Sequence, residues 1–249
     1  RIGHTLRPGD LKGLAAQGLI LRGASAQTIT DVTIPIVHAG FTRLRGVNVV
    51  TGDDYATAAA AARHLLDQRL RQLLFFYRGD LPQSALRWRG FLTTARHAGV
   101  PCRLFLRGPR TMARGTWQLD DQLADLADLL RTLPKPLGLL AADDTHGERA
   151  LQACQLAGLR VPDDIAVIAY SNDDHFCELA DPPLSSISPD PARVGYESAQ
   201  LLDEILHAKV VGPVRRRVPP APVLVRQSSN FVAVSDPLVD QALRIIRRD

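Results

Sequence analysis

A chain of 249 residues with 45% hydrophobic and 22% charged residues can build one large domain or two ordinary lobes, and its composition argues against disorder. No apolar run approaches the roughly 18 residues that a membrane-spanning helix requires. The formal net charge of +4 comes almost wholly from arginine, with Lys12, Lys135 and Lys209 the only lysines, and its spread along the chain argues against a groove-reading nucleic-acid module.

In chain order, Leu11 to Gln17 reads as a short helix ended by Gly18, and Gly18 to Leu21 as a small buried strand. Val32 to Val37, carrying Pro35, is extended, and Val47 to Val50 is a strand running into Thr51-Gly52-Asp53-Asp54-Tyr55. The alanine-rich stretch Ala56 to Asp67 is a helix by propensity. Leu73 to Tyr77 is an apolar strand, Arg78 to Leu86 an irregular polar loop, and Arg87 to His97 a helix stopped by Gly99 and Pro101. Cys102 to Leu106 reads as a strand, Gly108 to Thr116 as a loop, and Asp120 to Leu133 as an amphipathic helix halted by Pro134. Leu137 to Ala142 is a buried strand, and Thr145 to Ala157 a helix closed by Gly158.

Ile165 to Tyr170 is a continuous apolar run, which predicts a strand buried on both faces. The chain then turns polar at once, at Ser171, Asn172, Asp173 and Asp174. Asp181-Pro182-Pro183 forces an extended path, read here as a crossover between lobes. Pro191 to His207 is an amphipathic helix, and Val214 to Arg226 is extended and proline-broken, with Arg215-Arg216-Arg217 as a solvated loop. A short helix begins after Ser235-Asp236-Pro237. This alternation of strands and helices predicts an α/β fold with parallel sheets built from βαβ units.

Open α/β sheets bind ligands outside the carboxyl ends of their strands. Four polar clusters fall at such places: Asp53-Asp54-Tyr55, the Asp80 to Arg87 loop, Asp143-Asp144 with His146, and Ser171 to Asp174. Carboxylates that accept hydroxyls, an arginine fork, and the indole faces of Trp88 and Trp117 make the mixture that a polyol site needs. The alternative is local: Asp53 or Asp54, and Asp143 or Asp144, cap the helices they precede, while Trp88 is core and Arg87 solvated. No G-x-S-x-G, G-x-x-x-x-G-K-[ST] or G-x-G-x-x-G motif is present, so serine-hydrolase, P-loop and dinucleotide chemistry lack their parts. Adjacent aspartates do not face each other across a substrate as glycosidase carboxylates do. Asp143, His146 and His175 read as capping or surface residues before metal ligands. Cys102, Cys154 and Cys177 are odd in number and form no C-x-x-C pair, which argues against a disulfide framework or zinc module and favours a reducing compartment. We therefore expect no cofactor, no metal and no enzymatic turnover.

The runs LPKPLGLLAADD, LQACQLAGLRVPDDIAVIAYSNDDHFCELADPPLSSI and VGYESAQLLDEIL resemble the xylose-responsive (XylR-type) regulators of the AraC class. Their ligand domain is similar to the lac-repressor and periplasmic sugar-binding fold. The tail VLVRQSSNFVAVSDPLVDQALRIIRRD resembles the segment leading into their helix-turn-helix region. The resemblance implies two Rossmann-like lobes of the periplasmic-binding-protein type joined by a hinge of crossover segments. Residues 1–69 and 189–211 would form the first lobe, 70–188 and 212–230 the second, and 231–249 a linker and helix toward a DNA-binding domain beyond this chain. It also implies an opening strand and helix ahead of the point matching Arg1.

The same resemblance assigns the site. DDY places Asp54, with Asp53 beside it, at a ligand-facing helix start; RWRGF assigns Arg87 to the sugar; AADD brings Asp143 and Asp144; SNDD brings Ser171, Asn172 and Asp173; and Trp117 supplies a platform. Asp143 stands where the family has asparagine and Ser171 where it has aspartate, so xylose itself need not be the ligand. The implied protein is the effector-binding part of a cytoplasmic, homodimeric transcription regulator that takes a pentose-like sugar between its lobes and reaches DNA through a further domain, with no membrane partner. The alternative is a transport-type sugar receptor without a DNA-binding head.

Overall fold

A computed structural model describes residues 16–22, 33–78, 82–107 and 119–231. The chain divides into two compact units, the first holding residues 1–57 and 188–221 and the second residues 58–187 and 222–249. The helix predicted over Leu11 to Gln17 and the one after Pro237 lie outside the described residues, apart from two residues at the end of the former.

The first unit carries a parallel four-stranded sheet, order β1-β2-β3-β9, from β1 (Leu19–Leu21), β2 (Ile36–Ala39), β3 (Asn48–Gly52) and β9 (Arg215–Val218). Val37, Val50 and Val218 present one buried face, covered by helix α6 (Pro191–Leu206) through Leu201, Leu202 and Val194. At Gly18 a Cβ would stand 2.7 Å from Leu202, so glycine permits the helix to approach.

The second unit is a six-stranded sheet, order β10-β8-β7-β6-β4-β5. Its strands are β4 (Leu73–Arg78), β5 (Cys102–Arg107), β6 (Leu137–Ala141), β7 (Ile165–Tyr170), β8 (Ser185–Ile187) and β10 (Val223–Leu224). All pairs are parallel except β10 with β8. Alternation along the strands feeds two cores. Leu74, Phe76, Leu139, Val167 and Ala169 face helices α3 (Leu119–Thr132) and α4 (Asp144–Ala157). Leu73, Phe75, Leu140, Ile168 and Tyr170 face helices α1 (Asp54–Asp67) and α2 (Pro82–His97). Every residue of β7 is buried, as its unbroken apolar run predicts.

Four boundaries differ from the sequence reading. Helix α1 was expected in the first lobe, but Ala58, Ala61, Ala62 and Leu65, at the i, i+3, i+4, i+7 spacing of one helix face, belong to the core of the second unit. Residues 212–221, expected with the second lobe, belong to the first unit, because β9 pairs with β3. The arginine run is thus a strand and not a loop; it sits at the sheet edge, where charge is tolerated, and Arg216 pairs with Glu204 of α6. The turn at Asp181 to Pro183 stays inside the second unit, between the short helix α5 (Asp174–Leu179) and β8, and the chain changes unit after Ile187. Helix α2 starts at Pro82 and not Arg87; proline suits a first helical position because its missing N–H has no intrahelical partner there.

Candidate functional site

The candidate residues divide between the units. Asp53 and Asp54 belong to the first, and Arg87, Asp143, Asp144, Ser171, Asn172 and Asp173 to the second; Trp117 lies outside the described residues. Asp53 does what a helix cap does: its Oδ1 accepts from Ala56 N–H at 3.0 Å, and its carbonyl accepts from Thr57 N–H and Thr57 Oγ–H. Its own N–H donates to Val218 O at 2.9 Å, fixing the head of α1 against β9. Asp54 follows as a 6%-exposed carboxylate in the first turn, where the helix dipole favours negative charge.

In the second unit the side chains gather at the carboxyl ends of β6 and β7. Arg87 on α2 donates from Nη1 to Ala142 O at 2.6 Å, and its guanidinium carbon lies 3.4 Å from the ring centroid of Tyr170, the last residue of β7. A planar cation over an aromatic face is attracted by the ring quadrupole, so the fork is held in one orientation. Trp88 packs against Phe75 at 5.8 Å and is partly buried core, the local alternative for that indole.

Asp143 caps α4, its Oδ1 accepting from His146 N–H at 2.8 Å and meeting His146 Nδ1 at 2.6 Å. Oδ2 makes no further hydrogen bond among the described residues. Burial pushes this carboxyl up, but the His146 hydrogen bonds and charge, with Arg87 beyond, outweigh it and hold it below the ordinary carboxylate range. His146 packs edge-on against Phe76 at 5.3 Å, and its Nε2 is buried without a partner among the described residues.

Asp144 behaves differently from its neighbour. It is 3% exposed, its Oδ1 accepts from Ser186 Oγ–H at 2.6 Å, and its Oδ2 accepts from Asp173 N–H at 2.7 Å. Burial raises its carboxyl above the usual range, and the hydrogen bonds offset only part of that. Three successive amides of the strand-end loop are anchored in this way: Ser171 N–H to Ile187 O, Asn172 N–H to Ser186 Oγ, and Asp173 N–H to Asp144. The anchoring sustains backbone that L-residues seldom adopt, with φ of 118° at Ser171 and 57° at Asn172; such conformations persist where surrounding contacts over-determine them. Asp173 caps the six-residue α5 by accepting from His175 N–H. Asn172 Oδ1 accepts from Arg226 at 2.9 Å.

Sequence reasoning left out Gln83 and Ser84, which precede Arg87 by one turn on α2 and so share its side of the helix. Among the described residues Gln83 Oε1 and Ser84 Oγ are buried without a hydrogen-bond partner, which few native polar atoms are. A loop reading of this segment hides them; a proline five residues before the arginine of R-x-x-G-F is the available signal. Arg226 and Ser186, which hold the loop, lie far from it in sequence and carried no signal.

A mostly parallel sheet covered on both faces, with a fixed arginine fork beside a carboxylate at the carboxyl ends of its strands, defines an α/β module of the binding-protein type. The chain belongs to the periplasmic binding protein-like domain family, which it matches over residues 62–229. It is similar to the xylose operon regulatory protein of Escherichia coli K12, 29% identical over 89% of this chain and 57% of the relative; the chain thus spans little more than half of that protein's length. Among solved structures it resembles a xylose-binding transcription activator, with a TM-score of 0.72 and 28% identity over 93% of this chain and 63% of the other. It also resembles the transcriptional regulator CelR in complex with cellobiose, with a TM-score of 0.68 and 25% identity over 89% of this chain and 68% of the other. Among the described residues no helix is long and apolar enough to cross a membrane.

Proposed function

We propose that this chain is the effector-binding part of a DNA-binding transcription regulator, and that its effector is a sugar taken at the strand-end site of the second unit. The observation that carries the reading is the Arg87 fork, tied to Ala142 O and laid on Tyr170 next to Asp143. It juxtaposes a planar donor, a carboxylate acceptor and the polar atoms of Gln83 and Ser84, which have no partner among the described residues, the convergent groups a polyol requires. Arg87, Asp143, Ser171, Asn172 and Asp173 are the proposed contacts, with Asp53, Asp54 and Trp117 as further ligand-facing residues. Asp144 acts through the loop it anchors. Its similarity to the xylose operon regulatory protein and to a xylose-binding transcription activator supports a regulator, and the tail's resemblance supports a DNA-binding domain of the AraC class after residue 249; the proposed regulator is a cytoplasmic homodimer. Binding proceeds without turnover.

A thermal-shift screen over pentoses, hexoses, sugar acids and cellobiose tests this. A sugar present at a hundred times its Kd stabilises the native state by about 2.7 kcal/mol, a readily measured rise in Tm. Arg87→Ala should fold and lose that rise. If no sugar shifts the wild type, the ligand class fails; if Arg87→Ala responds as the wild type does, the site assignment fails; and if a product accumulates, the non-enzymatic reading fails.

A further inference from the structure

Arg226 lies in the last described segment of the chain, yet its side chain reaches the loop at the end of β7. Nη1 donates to Asn172 Oδ1 at 2.9 Å and to Leu184 O at 3.0 Å, and Nη2 to Asp174 Oδ1 at 3.1 Å. The side chain is 12% exposed, so losing these acceptors would leave a largely desolvated cation short of partners. The backbone of the same residue is clamped at its other side: Arg226 N–H donates to Ser185 Oγ and Arg226 O accepts from Ser185 Oγ–H. Two residues on, fully buried Ser228 accepts from Ser185 N–H and donates to Val167 O at 2.7 Å, inside β7 itself. Gln68, one residue past α1, then donates to Ser229 O. The segment is therefore plugged into the sheet, and one guanidinium ties it to the loop.

We propose that Arg226 is a positioning residue that links occupancy of the strand-end loop to the seating of the Arg226–Ser229 segment, because Asn172 Oδ1 serves both as its acceptor and as a candidate contact for a bound hydroxyl. The proposal rests on the reading of that loop as the effector site. A ligand that takes Asn172 Oδ1 withdraws an acceptor from Arg226, and the guanidinium, with its backbone fixed at Ser185, must find another by moving the segment. By reciprocity, a displaced segment changes the loop's affinity by the same factor.

Amide hydrogen exchange on the full-length protein tests the link in two arms. Without ligand, Asn172→Ala should speed exchange at Gln227–Ser229, and Arg226→Gln should speed it at Asn172–Cys177, each roughly ten-fold, the equivalent of one hydrogen bond to a charged group. If either substitution changes exchange only on its own side, the link is refuted, whatever the ligand proves to be. In the second arm D-xylose, D-ribose and cellobiose are added in turn. With any of them that protects the loop, wild type and Ser228→Ala should both show a change at the segment, since Ser228→Ala loosens the plug without touching the guanidinium, whereas Arg226→Gln should bind and show none. A segment response in Arg226→Gln equal to that of wild type overturns the proposal. Loop protection by none of the three counts against a sugar effector, while the ligand-free arm still decides the link.

Discussion

Asp144→Ala separates anchoring from ligand contact. Removing the carboxylate strands a buried donor, Ser186 Oγ–H, and a partly buried one, Asp173 N–H, which now donate to Asp144 at 2.6 and 2.7 Å. A buried donor left without an acceptor costs about 1–3 kcal/mol and a partly buried one less, so the pair should cost about 1–4 kcal/mol, a large share of an ordinary domain's stability. Asp144→Asn keeps the shape and one acceptor oxygen and removes a charge that burial disfavours; it should cost under about 2 kcal/mol. The two variants should also differ from wild type in pH dependence. Because the folded pKa of Asp144 is raised, its contribution is fully present below the unfolded value near pH 3.9 and is lost as pH rises through the folded value. Urea unfolding at a series of pH values measures both quantities. An Asp144→Ala protein within about 0.5 kcal/mol of wild type, the size of an ordinary surface change, would refute the claim that this carboxylate holds the loop.

Three further outcomes follow from the same geometry. Arg87→Lys keeps the charge but cannot lay a planar fork on Tyr170 while donating to Ala142 O; sugar affinity measured by calorimetry should fall at least about ten-fold, the worth of one bond to a charged donor, with thermal unfolding little changed. Gly147→Ala would place a methyl 2.6 Å from Leu184 Cδ2 and 2.8 Å from Ala169 Cβ, where overpacking costs about 1–3 kcal/mol; an unchanged urea midpoint would contradict the close approach of α4 to β7. Asp143 carries the opposite sign to Asp144. Its folded pKa is depressed, so its stabilisation is present above about pH 3.9 and is lost as pH falls through the folded value. Asp143→Asn, an equally good helix cap, should flatten the acid limb of the stability curve.

The strand ends were legible because burial on both faces leaves an unbroken apolar run that must stop where polar residues begin. Ile165–Tyr170 and the turn into Ser171 follow from that pattern alone, and Gly158 ends α4 with φ of 70° as the glycine stop predicts. Helix α1 was equally legible as a helix, but its allegiance was not. Alanines at 58, 61 and 62 fit under any apolar sheet, and only packing against Phe75, Ile168 and Tyr170 assigns them to the second unit. The arginines at 215–217 read as solvated because charge runs usually are, until β3 offers an edge with which they pair.

Among the candidate residues, adjacent aspartates look alike in sequence and differ wholly in the fold. Asp143 caps a helix and keeps one oxygen without a partner among the described residues, while Asp144, one residue on and inside the helix, is buried and hydrogen-bonded to Ser186 and Asp173. Residue type and periodicity determined which strands are buried and that polar groups cluster at their carboxyl ends, since those follow from hydrophobic alternation over a few neighbours. Only the tertiary structure decided which of those groups anchor the loop. Those roles depend on hydrogen bonds to Ser186, Ser185 and Arg226, whose distance along the chain leaves no local pattern to read.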